Sequence, residues 1–376
     1  MEGTVRKSVV ISAVNLRKGG TLTVLRDCLS YLSKREDVEV TALVHDKTLC
    51  SYPGIEYIEI PWSTKGWGRR LWCEYVTMHR ISKDMDRVPD LWFSLHDTTP
   101  NVIARRQAVY CHTSFPFLKV KCQDWKMDPK SPLFANLTKF AYRINVRRNN
   151  YMVVQQDWFR EGLSKKTGFP KEHIVVAPPA FSIPEYDLSV ERAAVPTFIY
   201  PATPDCHKNF ETLCEAARIL QQEVGENRFQ VILTLNGTEN KYSSWLKKNW
   251  GDVSSVYFAG FQKKEDLVRL IETSTALVFP SRIESWGLPI SEYIPTAKPM
   301  LLADLAYAHE TSEGAGKVAF FDPSDPVGLS MMMKKLIHDD ESFLSPVQKK
   351  VTEPPYASDW DELFNLLLTD ENTSAR

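Results

Sequence analysis

The chain has 376 residues, of which 43% are hydrophobic and 25% charged, and its net charge is −1. A chain of this length and composition is expected to form about two globular domains, each with its own core. The balanced charge gives no indication of nucleic acid as a partner, and no apolar stretch approaches the ~20 residues of a membrane span. Seven scattered cysteines without metal-binding spacing favour reduced thiols in a cytosolic protein.

The first half of the chain predicts a parallel α/β domain. Residues 8–14 and 38–44 are apolar runs typical of buried strands, and residues 21–32 between them carry apolar side chains at helical spacing. The order strand, helix, strand implies a parallel sheet. Further strands are predicted at 55–60, 91–96, 107–112 and 151–155.

A turn-rich, aperiodic stretch at 177–197 separates this region from a second one with the same alternation. The strands predicted for the second region lie at 197–200, 230–235, 256–258, 276–279, 299–303 and 318–321. We therefore expect two doubly wound domains with a ligand cleft between them.

Two carboxylates, Glu284 and Glu292, flank a Gly-Leu-Pro turn after the apolar run at 276–279. Because Pro289 suits the first turn of a helix, Glu284 is expected in a loop at the carboxyl end of a strand and Glu292 about one turn into the next helix. Ligands of open α/β sheets bind at the carboxyl ends of the strands. There the two carboxylates could bind both ends of a hydroxyl-rich ligand. The alternative is a solvated loop followed by a Glu that complements a helix N-terminus.

Two further motifs follow the first strand of each region. Gly19 and Gly20 open the first helix and would let the backbone approach a phosphate, although a tight turn is the commoner role of such a pair. Lys208, in His207-Lys208-Asn209, could reach a diphosphate, although a surface Lys beside a helix cap is the commoner case.

His96 and His112 each end a predicted strand, where a His can hydrogen-bond a substrate hydroxyl, although a lone His is more often structural. No His or Cys cluster has zinc spacing, and the Asp-x-Asp pairs at 84–86 and 359–361 lie in charged or helical surface segments, so no protein-held metal is predicted. Residues 62–72 and 139–148 mix aromatic and basic side chains. Such segments could dock on an anionic membrane face or could be ordinary helices.

The Glu-x7-Glu motif, the Lys208-Asn209 pair and the Gly19-Gly20 loop together resemble the retaining glycosyltransferases of family 4, over residues 8 to about 326. That family has the GT-B fold, an α/β architecture of two Rossmann-like doubly wound parallel-sheet domains facing a central cleft. The resemblance implies an acceptor-binding domain at 1–190, a nucleotide-sugar-binding domain at 191–352 and a C-terminal helix at 353–376 that returns to the first domain.

The resemblance also implies a role for each motif residue. In the catalytic set, Glu284 would bind hydroxyls of the transferred sugar, Lys208 would neutralise the diphosphate and His112 would position the donor or acceptor. Glu292 would hold the ribose of the donor. His96 is expected to contact the acceptor because of its position at a strand end, not because of the resemblance. The remaining donor contacts implied are Gly19, Gly20, Trp286, Gly287 and Leu288.

One departure from the family pattern concerns the diphosphate. Many members place an Arg a few residues before the Lys, whereas residues 201–208 contain none. Lys208 would then carry more of the charge, with help from Thr203, His207 or Arg282.

The implied reaction is metal-independent, retaining transfer of a hexose from a nucleotide-diphosphate sugar, with UDP or GDP undecided and no cofactor. The acceptor would be a glycan or lipid-linked oligosaccharide in bacterial surface polysaccharide synthesis, such as that of lipopolysaccharide O-antigen or capsule. The protein would be cytoplasmic and could contact the inner membrane peripherally, with no nucleic acid as partner. The alternatives are a sugar-nucleotide 2-epimerase, another GT-B enzyme such as a glycogen-synthase-like polymerase, and a non-catalytic nucleotide-sugar-binding protein.

Overall fold

The computed structural model describes residues 6–181 and 183–369, and the chain divides into two compact units. The first unit comprises Met1–Pro116, Leu137–Phe181 and Thr352–Arg376. The second comprises Phe117–Asn136 and Ser182–Val351. Each unit is built on one sheet whose strands all pair in parallel.

The sheet of the first unit has seven strands in the order β3-β2-β1-β4-β5-β6-β7. Successive residues of β1 serve two cores, because Val9 and Ile11 pack in one apolar cluster and Val10 packs in another. Both faces of the sheet are therefore covered, as parallel sheets require. The strands are β1 Lys7–Ala13, β2 Val38–Val44, β3 Ile55–Glu59, β4 Leu91–Ser94, β5 Arg106–Tyr110, β6 Tyr151–Val154 and β7 Ile174–Val176.

The sheet of the second unit has six strands in the order β10-β9-β8-β11-β12-β13. Its central strands are continuous apolar runs buried on both faces, as in Ala276–Phe279. The strands are β8 Thr197–Tyr200, β9 Gln230–Leu233, β10 Val256–Phe258, β11 Ala276–Phe279, β12 Met300–Ala303 and β13 Val318–Phe321.

The helices connect these strands along the chain. They are α1 Gly19–Leu32, α2 Trp67–Trp72, α3 Met78–Asp84, α4 Cys122–Met127, α5 Lys130–Ala141, α6 Asp157–Thr167, α7 Phe210–Val224, α8 Lys241–Trp250, α9 Lys264–Thr273, α10 Leu288–Tyr293, α11 Ala306–Thr311, α12 Pro326–Ile337 and α13 Trp360–Leu368. A π-helical turn, Cys73–Thr77, joins α2 to α3. In the described part of the chain, no helix has the length and apolar character needed to cross a membrane.

The predicted fold class is confirmed, and each predicted strand is present with ends that differ by no more than two residues. The sequence missed β7, because Ile174–Val176 offers only three apolar residues before a Pro-rich stretch. A run this short carries no periodicity that would separate a strand from a loop.

The last helix, α13, packs against the core of the first unit. Its residues Leu363, Phe364, Leu367 and Leu368 belong to the same cluster as strands β1 and β2 and helix α1. The Phe364 ring stacks on Tyr31 of α1 at 5.8 Å between ring centroids and meets Phe93 of β4 edge-on at the same distance. Residues more than 300 positions apart in sequence thus share one core.

Residues 117–136 belong to the second unit, although they precede the rest of that unit by some 45 residues. Asp124 on α4 forms a buried ion pair with Arg282, with 2.5 Å between Oδ1 and the guanidinium. The Lys121 ammonium lies 3.5 Å from the side-chain oxygen of Asn209. These polar contacts tie the segment to the loops that follow β8 and β11.

We expect Phe364→Ala to lower the free energy of unfolding of the first unit by about 3–5 kcal/mol, the usual loss when a buried Phe is truncated. Urea unfolding followed by near-UV circular dichroism measures the loss. Leu366→Ala, at a half-buried position on the same helix, is the matched control and should cost less. Equal losses for the two variants would contradict the packing of α13 described above.

Candidate functional site

The candidate site of the second unit lies where its strand order reverses. β8 pairs with β9 on one side and with β11 on the other, so the connections that leave β8 and β11 turn away from each other. Ligands of open parallel sheets bind at such a switch point, beyond the carboxyl ends of the strands. Lys208 follows β8 and Glu284 follows β11, so both motif residues lie at this point.

The side chains of Lys208 and Glu284 are in direct contact. The Lys208 ammonium donates a hydrogen bond to Oε1 of Glu284 over 2.6 Å. The two side chains are only 15% and 13% exposed, so water screens the pair weakly. A bound ligand that carries both an anionic group and hydroxyl groups could engage the two ends of this pair at once.

Asn209 fixes the loop that carries Lys208. Its backbone is left-handed, with φ of 60°, and its side chain is fully buried. The side-chain amide donates to the carbonyl oxygens of Pro280 at 3.1 Å and Pro323 at 2.8 Å. One Asn side chain thus joins the loop after β8 to the loops after β11 and β13.

The Glu-x7-Glu motif folds as the sequence predicts. Glu284 lies in the loop after β11, Leu288 begins α10, and Glu292 lies near the end of that helix. Gly287 has φ of 97°, a conformation that favours glycine, and a Cβ there would meet Ile290 at 3.4 Å. The Trp286 indole donates to the Ser291 hydroxyl at 2.9 Å, which closes the turn.

Burial raises the pKa of Glu292, and the opposing effect of the Lys264 ammonium is smaller. The side chain is half-buried, so its charged form is held in a medium less polar than water. A carboxylate in this condition gains most from a ligand that donates hydrogen bonds to it.

The three residues expected to assist Lys208 have different surroundings. The Arg282 guanidinium is paired with Asp124 and donates to the Cys206 carbonyl at 3.0 Å, so its charge is already balanced. The Thr203 hydroxyl donates to Asp205 at 2.6 Å in an exposed turn. Burial, together with the nearby cations Lys208 and Arg282, holds the pKa of His207 well below its usual value, so the imidazole is neutral.

In the first unit, His112 follows β5 and is buried, with Nε2 lacking a hydrogen-bond partner among the described residues. Burial lowers the pKa of His112, and the nearby Asp97 carboxylate opposes the shift only in part. The neutral ring therefore carries a nitrogen that can still accept or donate one hydrogen bond, depending on its tautomer.

Asp97 positions the backbone of His112. Its Oδ1 accepts hydrogen bonds from the N–H of His112 at 2.6 Å, the N–H of Thr113 at 2.9 Å and the Tyr142 hydroxyl at 3.0 Å. Asp97 itself has φ of 70°, an uncommon conformation for a residue other than glycine. The carboxylate therefore fixes the strand end from which His112 extends.

His96 is fully buried, and its ring lies in a polar cluster. Nε2 lies 3.1 Å from the Ser12 hydroxyl, and Nδ1 lies 3.1 Å from the Thr98 hydroxyl and 3.4 Å from Glu74. Burial lowers the pKa of His96. Both ring nitrogens are engaged inside the unit, so the acceptor-binding role expected for His96 would have to be indirect.

Gly19 and Gly20 begin α1 and are exposed. Gly19 has φ of 64°, and no atom lies within 4 Å of a Cβ built at either position. The open backbone at this helix start is compatible with the phosphate approach that the Gly-Gly pair suggests.

Sequence reasoning gave no role to Asp97 or Asp124, and it named Asn209 only as part of the Lys208-Asn209 pair, without the structural role described above. Asp97 and Asn209 adjoin motif residues and favour left-handed backbone more than most residue types do, which is a weak signal. Asp124 gave no signal in the sequence, because it lies 158 residues from its partner Arg282.

Residues 190–374 match the family model for glycosyl transferases group 1. A curated relative, the O-antigen chain mannosyltransferase B of Escherichia coli, is 28% identical over 143 residues. That match covers 38% of this chain and 37% of the relative, so it spans well under half of either protein.

Solved structures of glycosyltransferases share the fold over nearly the whole chain. The lipopolysaccharide outer core galactosyltransferase WaaB superposes with a TM-score of 0.62 and 13% identity, over 96% of this chain and 98% of that one. HepE from Anabaena, in complex with UDP-glucose, superposes with a TM-score of 0.58 and 15% identity, over 89% and 91%. The fold is GT-B, and the matched domain supports a GT-B glycosyltransferase.

The described ranges 6–181 and 183–369 hold no group of three or more His, Cys, Asp or Glu side chains arranged to bind a metal ion.

We expect Glu292→Gln to stabilise the ligand-free protein at neutral pH. Because the folded-state pKa of Glu292 is raised, ionisation opposes folding above that pKa. The penalty disappears below the unfolded-state pKa of about 4.3, where the carboxyl is neutral in both states. Thermal unfolding from pH 4 to pH 8 should therefore show that the melting temperature of Glu292→Gln exceeds that of the parent by an amount that grows with pH.

The matched control for this series is Glu226→Gln, at an exposed position of the same unit. It should change the melting temperature little at any pH. A Glu292→Gln protein that is less stable than the parent at pH 8 would show that the carboxylate is stabilised rather than strained by its surroundings.

Proposed function

We propose that the protein is a retaining, metal-independent glycosyltransferase of family 4 that moves a hexose from a nucleotide-diphosphate sugar to a glycan or lipid-linked acceptor in surface polysaccharide synthesis. The observation that carries the proposal is the Lys208–Glu284 contact at the adjoining ends of β8 and β11, within the region that matches the glycosyltransferase domain. The similar proteins support this class of donor and product, since they include an O-antigen chain mannosyltransferase and a complex with UDP-glucose.

In the proposed donor complex, Lys208 and Glu284 exchange partners. Without a donor, the ammonium and the carboxylate balance each other's charge. A diphosphate brings negative charge to Lys208, and hydroxyls of the sugar donate to Glu284. The original contact is then replaced by two contacts with the same ligand, one at Lys208 and one at Glu284. A complete nucleotide sugar makes both contacts, so it is favoured over a nucleotide alone.

The same ammonium assists the chemical step. As the sugar–phosphate bond breaks, negative charge grows on the departing diphosphate and the sugar becomes oxocarbenium-like. Lys208, held by its loop in a weakly screened position, stabilises this growing charge more than the charge of the ground state. The interaction therefore lowers the barrier rather than only tightening donor binding.

Glu292 is proposed to accept hydrogen bonds from the ribose hydroxyls. Its carboxylate is partly withdrawn from water, as the raised pKa indicates, so ribose hydroxyls would replace hydration that it has lost. Glu284 and Glu292 therefore act as hydroxyl ligands at the two ends of the donor, and neither is assigned a proton-transfer role.

We assign retention to front-face attack, in which the acceptor hydroxyl approaches on the side from which the diphosphate leaves and the departing phosphate takes its proton. The neutral His112 offers Nε2 to a sugar hydroxyl and positions the donor or the acceptor. We further propose that the protein works in the cytoplasm, in peripheral contact with the inner membrane.

Two substitutions at the ion pair should separate binding from chemistry. Lys208→Ala should weaken nucleoside-diphosphate binding and lower kcat by about 10²–10³, the usual cost of losing one stabiliser of transition-state charge. Glu284→Gln should bind the nucleoside diphosphate at least as well as the parent, because it frees Lys208, but should lose the extra affinity that the sugar provides. Isothermal titration with both ligand types, together with transfer assays, measures these effects.

The matched control is Lys248→Ala, at an exposed position on α8 of the same unit. It should leave binding and kcat unchanged. A folded Glu284→Gln protein that transfers sugar at the parent rate would rule out the role assigned to Glu284.

The donor can be found without knowing the acceptor. In a thermal-shift screen of UDP, GDP and their hexose conjugates, a ligand at about 100 times its Kd should add ~2.7 kcal/mol of stability. Proton NMR of the transfer product made with that donor should show the donor's anomeric configuration. An inverted anomer would refute retention, and conversion of the donor in the absence of acceptor would favour an epimerase.

A further inference from the structure

Helix α2 and the π-helical turn after it carry an ion pair that the proposed mechanism does not use. The Arg70 guanidinium contacts Oε1 of Glu74 at 2.8 Å, four residues further along the chain. The Glu74 side chain is fully buried, and that of Arg70 is only 18% exposed. Burial opposes the ionisation of Arg70, but the carboxylates of Glu74 and, more weakly, Asp97 outweigh this effect and raise the pKa of Arg70. The contact is therefore a charged one that water hardly screens.

A buried ion pair is an inefficient way to stabilise a fold. Taking two charges out of water costs free energy, so apolar side chains of similar size often stabilise a protein equally well or better. The turn Cys73–Thr77, which carries Glu74, is π-helical, and such turns are frequent at functional sites. The pair is better explained by the piece of backbone that it holds in place.

The ion pair holds the segment that follows β4. The Arg70 guanidinium donates to the His96 carbonyl at 2.8 Å, and Oε2 of Glu74 accepts a hydrogen bond from the Thr98 hydroxyl at 2.6 Å. The Glu74 carbonyl accepts from the N–H of Asn101 at 3.2 Å. The segment is thus fixed at three points by α2 and its π-helical turn.

The same segment supports His112. Oδ1 of Asp97 accepts the N–H of His112 at 2.6 Å, and the backbone of Leu95 forms a hydrogen bond with the His112 ring. Asp97 has left-handed backbone, which residues other than glycine keep only where their surroundings hold it. Its neighbours His96 and Thr98 are the residues that the ion pair contacts. The ion pair is therefore joined to His112 through one short piece of backbone.

We propose that Arg70 and Glu74 are positioning residues that set the place of His112 through Asp97. This inference rests on the proposed function, in which Nε2 of His112 meets a sugar hydroxyl, and it adds two residues that act only through another residue. The Nε2 atom is buried without a partner in the described residues, so its direction depends on how the ring is held. A displacement of about 1 Å can slow a reaction about 100-fold, so a rigid support for this ring matters to the chemical step.

The first test is Arg70→Lys, which keeps the charge but cannot contact Glu74 and the His96 carbonyl together as the planar guanidinium does. It uses NMR of isotopically labelled histidine side chains in the ligand-free protein, where the His112 signal is the one lost in His112→Ala. We expect Arg70→Lys to move the His112 signal and to leave that of His173, in the same unit, unchanged.

The matched control is Arg69→Lys, at the exposed position next to Arg70 on the same helix. It should leave both histidine signals in place and should not change the kinetics. A His112 signal that moves equally in Arg69→Lys would show that the shift does not report the ion pair.

Kinetics separate positioning from a purely structural role. With whichever of UDP-glucose and GDP-mannose the parent hydrolyses faster, Arg70→Lys should lower kcat by about 10–100-fold and change KM little. This loss should vanish in a His112→Ala background, because residues that act through one another are not additive. Losses from Arg70→Lys and His112→Ala that multiply would contradict the proposal.

A second variant guards against loss of the fold. Arg70→Met combined with Glu74→Leu removes the ion pair without leaving a buried charge, so the melting temperature should stay close to that of the parent. The His112 signal should again move, and kcat should again fall. The proposal is overturned if the His112 signal stays in place in both variants. A parent that hydrolyses neither sugar nucleotide would count against the proposed function, whereas the NMR comparison, which needs no ligand, would still decide the positioning.

Discussion

The pairing of β8 with β11 is the constraint on which the candidate site depends. It places the loops after these two strands side by side, so that Lys208 meets Glu284 across 76 residues of sequence. The Asn209 side chain then fixes the first loop to the carbonyls of Pro280 and Pro323. Because strand pairing and the Asn209 side chain hold these loops before any ligand arrives, little ordering of the protein would be needed when the proposed donor binds.

Electrostatic balance in the second unit explains why Arg282 and Lys208 differ. Arg282 is committed to Asp124 through a contact in which both side chains are almost fully buried, and removing either partner would leave an uncompensated charge. Lys208 is paired with a more exposed Glu284 on a loop that a ligand can reach. Lys208 is therefore the cation that we assign to the proposed donor, whereas the charge of Arg282 is balanced by Asp124.

Each unit, taken by itself, holds a buried polar group that a ligand could stabilise. The charge of Glu292 is partly buried, and the Nε2 atom of His112 is buried without a hydrogen-bond partner in the described residues. Groups of this kind destabilise the empty protein and gain most from a ligand that satisfies them.

The sequence by itself determined the parallel α/β class, nearly all strand positions and the placement of Glu284 and Glu292 on either side of a turn. These features follow from local patterns, namely apolar runs, helical spacing and the backbone demands of Gly287 and Pro289. Only the tertiary structure decided that His96 is enclosed by Ser12, Thr98 and Glu74, that Asp97 positions His112, and that residues 117–136 join the second unit through Asp124. Such contacts join residues distant in sequence. The identity of an Asp or His does not indicate which distant residue it will contact, so no local pattern predicts these contacts.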